Sequence, residues 1–189
     1  MKNNTNFKNQ ILTIPNLLSL LRIILIPFIV WSYFTKESSL LTVGLIVFSG
    51  ITDVVDGIIA RRFNMVSNFG KVFDPIADKL TQGVIILCLA SKYQWMRSLI
   101  ILFIVKEVTM GSLGLIIIKK FGEINSAKWY GKANTVILYI VMGFLLLLPK
   151  LNLFIVNGLI LFCAFSLLFA LIMYIRFYLK IWKKHSKQD

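Results

Sequence analysis

Apolar positions along this chain neither alternate nor recur only every third or fourth place. They run on for roughly twenty residues at a time, and polar residues collect in the short stretches between. The runs are Leu17–Phe34, Leu40–Ala60, Asp74–Ala90, Ser98–Ile118, Ala133–Pro149 and Leu151–Ile175. A hydrocarbon core about 30 Å thick is crossed by about 20 helical residues. In lipid every backbone polar group needs a partner within the chain, so only helices or closed barrels cross. Barrel strands alternate, and these runs do not. The pattern predicts an all-α, polytopic membrane protein with six transmembrane helices. "NFKNQILTIPN" ahead of the first run reads as a short interfacial N-terminal segment, with Pro15 turning the chain and Asn16 or Ser19 capping the first helix. Leu17–Phe34 carries Arg22, has no small-residue cleavage site after it and is followed by further runs, so it reads as a crossing and not a signal peptide. With no linker and no internal repeat, residues 1–189 read as a single membrane domain.

Composition agrees and adds a direction. Hydrophobic residues make up 58% of the 189 residues and charged ones 15%, outside the soluble globular range. The net charge is +13. With the N-terminus in the cytoplasm, fourteen basic residues share its side: Lys2, Lys8, Arg61, Arg62, Lys71, Lys119, Lys120, Lys128, Lys132, Arg176, Lys180, Lys183, Lys184 and Lys187. Only Lys36, Lys92, Arg97 and Lys150 fall opposite. The bias places both termini in the cytoplasm of a cell-membrane protein. Because the basic residues are spread over several loop ends, the rim suits anionic lipid headgroups, and no nucleic-acid partner is expected. Cys88 and Cys163 lie in different apolar runs without metal-ligand spacing and read as buried thiols. His185 reads as a solvated residue of a basic tail.

One stretch breaks the pattern. Of only eight acidic residues, four, Asp53, Asp56, Asp74 and Asp78, fall within 26 positions. Ionisable groups within a membrane span are functional candidates, facing a bundle interior or a wet cavity. Asp53, Asp56, Gly57 and Ala60 share one helix face, and Gly70, Asp74 and Asp78 nearly share another, with small residues leaving room beside the carboxylates. At 1.5 Å per residue, Asp53 lies about 10 Å from the end of its run at Ala60, and Asp78 about 6 Å from the start of the next. The short connection Arg61–Phe73 makes the two helices antiparallel, so the four carboxylates converge at similar depth. Such a group repels itself unless cations neutralise it, and oxygen ligands suit Mg²⁺, Mn²⁺ or Ca²⁺. Four shared carboxylates point to two divalent ions, about 3.5–4 Å apart in sites that drive phosphoryl displacement. Two other readings stand beside this one. The acids pair with Arg61, Lys71 or Lys79 and do no chemistry, or they form an ion or proton relay in a small transporter.

The residues Asp53-x-x-Asp56-Gly57-x-x-Ala60-Arg61, then eight residues, then Gly70-x-x-x-Asp74-x-x-x-Asp78, resemble the signature of the CDP-alcohol phosphatidyltransferases at every fixed position. The resemblance implies a membrane enzyme that transfers a phosphatidyl group from CDP-diacylglycerol to an acceptor hydroxyl and releases CMP. It implies Asp53, Asp56, Asp74 and Asp78 at two metals, Mg²⁺ or Mn²⁺, and Asp78 also as general base. It implies that Gly57, Ala60, Arg61 and Gly70 line the CDP-diacylglycerol site, with Arg61 on a phosphate, that the site faces the cytoplasm, and that the chain forms a homodimer. "LTIPNLLSLLRIILIP" and "FGKVFDPIADKL" are similar to bacterial phosphatidylglycerophosphate synthases, whose acceptor is glycerol 3-phosphate and whose product is phosphatidylglycerophosphate. Those carry Arg-Glu where this chain has Lys106-Glu107, and often Gly-Lys-x-Lys-Thr where it reads Gly131-Lys132-Ala133-Asn134-Thr135. Lys106, Lys128 and Lys132 are the candidates for holding an acceptor phosphate, as point charges rather than forks. Eukaryotic-type cardiolipin synthases share the signature and a similar Lys-x-Asn-Thr stretch, which keeps phosphatidylglycerol as an alternative acceptor.

Overall fold

The computed structural model describes residues 13–35, 39–63, 65, 70–121 and 128–185, without the side chains of Arg61, Lys71, Val72 and Lys184. Its elements are six helices: α1 (Ile14–Thr35), α2 (Ser39–Arg62), α3 (Gly70–Ala90), α4 (Gln94–Phe121), α5 (Trp129–Leu147) and α6 (Leu153–His185). The interfacial segment read from the sequence lies for the most part outside the described residues. Five helices, all but α3, are long and apolar enough to cross a membrane. The 21 residues of α3 match a crossing in length alone; Lys71, Asp74, Asp78 and Lys79 concentrate charge in its first half and leave Leu80–Ala90 as its apolar part. The chain is an all-α, multi-pass membrane protein.

Several helices outrun the apolar stretches that announce them. α3 starts at Gly70, four residues earlier than the hydrophobic pattern places it, and α6 continues ten residues past Ile175. Polar residues at a membrane-helix end leave the apolar run without ending the helix, since backbone hydrogen bonding does not depend on side-chain polarity. The cap of α1 is likewise neither Asn16 nor Ser19. Thr13 Oγ1 accepts the Asn16 N–H at 3.4 Å, directly ahead of Ile14 and about one turn before the long apolar run opens at Leu17.

The chain divides into two compact units, Met1–Cys88 and Leu89–Asp189. In the first, α1 packs along α2. The face of α1 turned inward contains Asn16, Ser19, Arg22 and Ser32, while Ile14, Leu17, Leu20, Ile24, Phe28, Trp31 and Phe34 are exposed. This inverts the arrangement of a soluble helix, because here the solvent is hydrocarbon. Near the C-terminal end of α1 the Ser32 and Thr42 hydroxyls hydrogen-bond at 2.9 Å, in the manner of small polar residues that join membrane helices.

In the second unit α6 packs against both α4 and α5. At one end Lys92 Nζ donates to the Pro149 carbonyl at 2.9 Å, and Asn152 Oδ1 caps α6 by accepting the Phe154 N–H at 3.0 Å. At the other end Phe121 meets Trp182 at 5.8 Å, and Lys120 Nζ sits 4.2 Å from the Trp182 ring centre. His185 is not a solvated tail residue: it closes α6, half-buried, with its ring 4.3 Å from that of Phe121. Cys88 and Cys163 are buried free thiols.

Candidate active site

The first unit holds the aspartates, and each arrives on a helix whose local sequence places it. On α2, Asp53 and Asp56 lie one turn apart, with Gly57 and Ala60 continuing their face. On α3, Gly70 opens the helix, and Asp74 and Asp78 follow at successive turns. The earlier start of α3 and the later end of α2 deepen both pairs. Asp78 is eight residues into α3, about 12 Å from its start, and Asp53 nine residues from the end of α2, about 14 Å, where the sequence pattern gave 6 and 10 Å. The two depths agree more closely than the apolar runs alone imply.

All four carboxylates meet two residues of α1. The Arg22 guanidinium bonds to Asp53 Oδ1 and, at 3.1 Å, to Asp78 Oδ1 through one terminal nitrogen. Through the other it reaches Asp56 Oδ2 at 2.7 Å and Ser19 Oγ at 3.1 Å. Ser19 Oγ lies 2.5 Å from Asp74 Oδ1 and 3.2 Å from Asp56 Oδ2, so its single proton serves Asp74 best. Arg22 is 1% exposed and the Asp56 side chain 5%, whereas those of Asp53 and Asp78 are 41% and 28% exposed. The cluster thus has a closed side at Ser19, Arg22 and Asp56 and an open side at Asp53 and Asp78.

Arg22, an ionisable residue within a span and so a functional candidate from the sequence, and Ser19, read there as a helix cap, are the members that the sequence does not join to the aspartates. Of the cations weighed there as partners, Arg61 and Lys71 have side chains outside the described residues, and Lys79 Nζ donates to Gln82 Oε1 at 3.2 Å. A signal was present: Arg22 is an ionisable residue within an apolar run, and Ser19 precedes it by one turn on the same face.

The donor set suits a hard divalent cation. One guanidinium offsets one of four formal negative charges, and every available donor is a carboxylate or hydroxyl oxygen. Among the described residues no three acidic, His or Cys side chains are gathered into a metal cage, and Arg22 stands between three of the carboxylates. Of the nucleotide-side candidates, Gly57 and Ala60 are half-buried on α2 and Gly70 is buried at the start of α3; the Arg61 side chain lies outside the described residues.

The candidate acceptor lysines belong to the second unit and differ sharply among themselves. Lys106, midway along α4, is 1% exposed and bonds to Glu107 Oε1 at 2.7 Å. Lys132, expected on a loop, is an exposed residue of α5. Lys128 directly precedes α5, with its Nζ 4.3 Å from the Phe177 ring centre. Around them α5 and α6 are joined by polar contacts that periodicity alone does not reveal. Lys128 N–H donates to Tyr174 Oη at 3.3 Å, the Tyr130 and Tyr174 rings meet edge-on at 4.6 Å, and Ser166 Oγ donates to Asn134 Oδ1 at 3.0 Å. Gly131 makes the Tyr174 approach possible, since a Cβ there would stand 3.0 Å from Tyr174 Cζ and closer still to the hydroxyl.

Buried polar chemistry on facing membrane helices, open on one side, defines a membrane protein that handles a charged group beside the hydrocarbon. The pattern of the CDP-alcohol phosphatidyltransferases matches residues 12–182, which include the whole cluster. The chain belongs to the CDP-alcohol phosphatidyltransferase family. It is 31% identical over 144 residues to the CDP-diacylglycerol–glycerol-3-phosphate 3-phosphatidyltransferase of Salmonella choleraesuis, covering 73% of this chain and 79% of that one. A protein of the same name from Pectobacterium atrosepticum is 33% identical over 128 residues, 65% of this chain and 70% of its own. The Rickettsia felis protein of that name is 44% identical over 81 residues, 42% of this chain, and the match spans only 45% of that relative's length.

Proposed function

We propose that the protein transfers a phosphatidyl group from CDP-diacylglycerol to glycerol 3-phosphate, forming phosphatidylglycerophosphate and releasing CMP. The observation that carries the reading is the gathering of Asp53, Asp56, Asp74 and Asp78 into one partly open cluster within the region that matches the family. The names of the relatives support the two substrates. An acceptor hydroxyl attacks the phosphorus that bears the diacylglycerol, and the bond from that phosphorus to the CMP oxygen breaks. Asp78, on the open side, takes the hydroxyl proton as general base. Asp53, Asp56, Asp74 and Asp78 hold two divalent cations, Mg²⁺ or Mn²⁺. When bound, these supply charge neutralisation at the pyrophosphate and Lewis-acid polarisation of its oxygens. Gly57, Ala60 and Gly70 leave space for the nucleotide, and Arg61 pairs with a phosphate through its planar fork. Lys106, Lys128 and Lys132 are the acceptor-side candidates. Both units act as one catalytic domain, a reading supported by a family match that runs through them. The protein works in the cell membrane with its site toward the cytoplasm, as a homodimer.

The test is CMP release by purified protein given CDP-diacylglycerol with glycerol 3-phosphate or with phosphatidylglycerol. Release with glycerol 3-phosphate is expected. Release only with phosphatidylglycerol replaces the acceptor and makes the protein a cardiolipin synthase. Ion flux in liposomes with no CMP from any acceptor removes the transferase reading.

A further inference from the structure

Resting on the divalent-cation reading proposed above, we infer that Arg22 is an internal counter-cation that competes with the metal for the aspartates, holding the cluster together when no ion is bound and yielding it when one arrives. Three observations carry this. First, one oxygen of each aspartate is already engaged by α1: Asp53 Oδ1, Asp56 Oδ2 and Asp78 Oδ1 by Arg22, and Asp74 Oδ1 by Ser19. A guanidinium bonded to three carboxylates at once stands on the donors that a metal ion needs. Second, the anchoring is incomplete. Four of the five guanidinium N–H groups find acceptors, but Nε is buried without a hydrogen-bond partner. A buried unpaired N–H carries a desolvation penalty, so this is not the best bond pattern for a permanent ion pair. Third, the charges favour exchange: one positive charge against four negative ones leaves a large excess that a divalent ion offsets better.

Without Arg22 or a metal, four carboxylates between α1, α2 and α3 repel one another. With Arg22 in place the metal-free protein keeps its aspartates on their shared faces. An arriving ion then meets an assembled donor set and displaces one side chain. Arg22 is accordingly a positioning residue, and Ser19, which bonds both Arg22 and Asp74, couples the two carboxylate pairs.

Competition has a signature that a merely structural salt bridge lacks. The full chain in detergent, as parent, Arg22→Ala and Arg22→Lys, is titrated with Mn²⁺, and free ion is read from its electron paramagnetic resonance signal. Removing the competitor should tighten Mn²⁺ binding in Arg22→Ala roughly tenfold or more, the equivalent of one hydrogen bond to a charged group. Arg22→Lys, with a single ammonium in place of the fork, should fall between and serves where Arg22→Ala does not fold. Methylguanidinium added to Arg22→Ala, or to Arg22→Lys in its place, should raise the apparent Mn²⁺ dissociation constant linearly with its concentration, while tetramethylammonium at equal ionic strength should not. Equal or weaker Mn²⁺ binding in the variants, or indifference to methylguanidinium, overturns the inference and leaves the metal reading standing. No Mn²⁺ binding by any form removes both.

Discussion

Asp78 and Asp56 look equivalent in the motif, yet their surroundings separate them. Asp56 is enclosed with Arg22 and Ser19, whereas Asp78 keeps one bond to Arg22 on the open side. Asp56→Asn should therefore lose metal binding and turnover together. Asp78→Asn should lose turnover by roughly a hundredfold or more, in the range of general-base catalysis, and keep most of its CDP-diacylglycerol affinity. Near-normal turnover in Asp78→Asn removes its assignment as base. Gly131 gives a second prediction that depends on packing alone. Gly131→Ala pushes a methyl group against Tyr174, and overpacking of this kind costs roughly 1–3 kcal/mol. Combining it with Tyr174→Phe should recover part of the lost thermal stability, because the hydroxyl is the nearest obstruction but the ring stays close. An unchanged melting temperature in Gly131→Ala would contradict the close approach. The aspartates were legible in the sequence because i, i+3 and i, i+4 spacing fixes a face. Arg22 was not assigned to them, because periodicity states which way a side chain points and not what stands opposite. Its partners lie 31, 34 and 56 positions further along the chain.

At the scale of helices, hydrophobic runs located all six and misplaced their ends. A run ends where side chains turn polar, while a helix ends where backbone hydrogen bonds stop, and at Gly70 and beyond Ile175 the two differ. At about 1.5 Å per residue the 33 residues of α6 extend about 50 Å, well past the hydrocarbon, and its final turns carry Lys180 and Lys183. The α1–α2 pair offers a test of what joins such helices. Ser32→Ala and Thr42→Ala each break the same hydroxyl pair, so the double variant should be no less stable than the worse single one. The coupling should be about 0.6 kcal/mol, as for hydrogen bonds between membrane helices. Strictly additive losses in detergent unfolding would show that the hydroxyls act separately.

For the whole protein, the proposed chemistry requires a tailless dianion to be held by charge. Lys106→Ala or Lys132→Ala should raise the KM for glycerol 3-phosphate roughly ten- to a hundredfold, as expected for a lost bond to a charged group, and change that for CDP-diacylglycerol far less. Lys106 is the more revealing of the two. It is buried and bonds to Glu107 at 2.7 Å, and its loss removes that ion pair and the packing of its stem, so a fall in stability should accompany the KM effect. At Lys132, exposed on α5, the KM should move alone. A KM unchanged in both variants would take acceptor binding away from these lysines. Turnover should stop in EDTA and return with Mg²⁺ or Mn²⁺, and full activity in EDTA would end the two-metal proposal.

The placement of Arg22 also sets an order of events during synthesis. α1 leaves the ribosome ahead of α2 and α3, and the carboxylates that surround its guanidinium follow 31 to 56 residues later. At about 5–20 residues per second, the last of them is made some 3–11 s after Arg22. For the first 31 residues of that interval, before Asp53 is made, the nascent helix carries a positive charge with none of these counter-ions, at a cost near 2.5–3.5 kcal/mol if it sits at mid-bilayer. α1 therefore gains little by moving alone into lipid, and is best kept beside the insertion machinery until α2 brings Asp53 and Asp56. The same bonds that later hold the aspartates thus make α1, α2 and α3 a single parcel for delivery into the membrane.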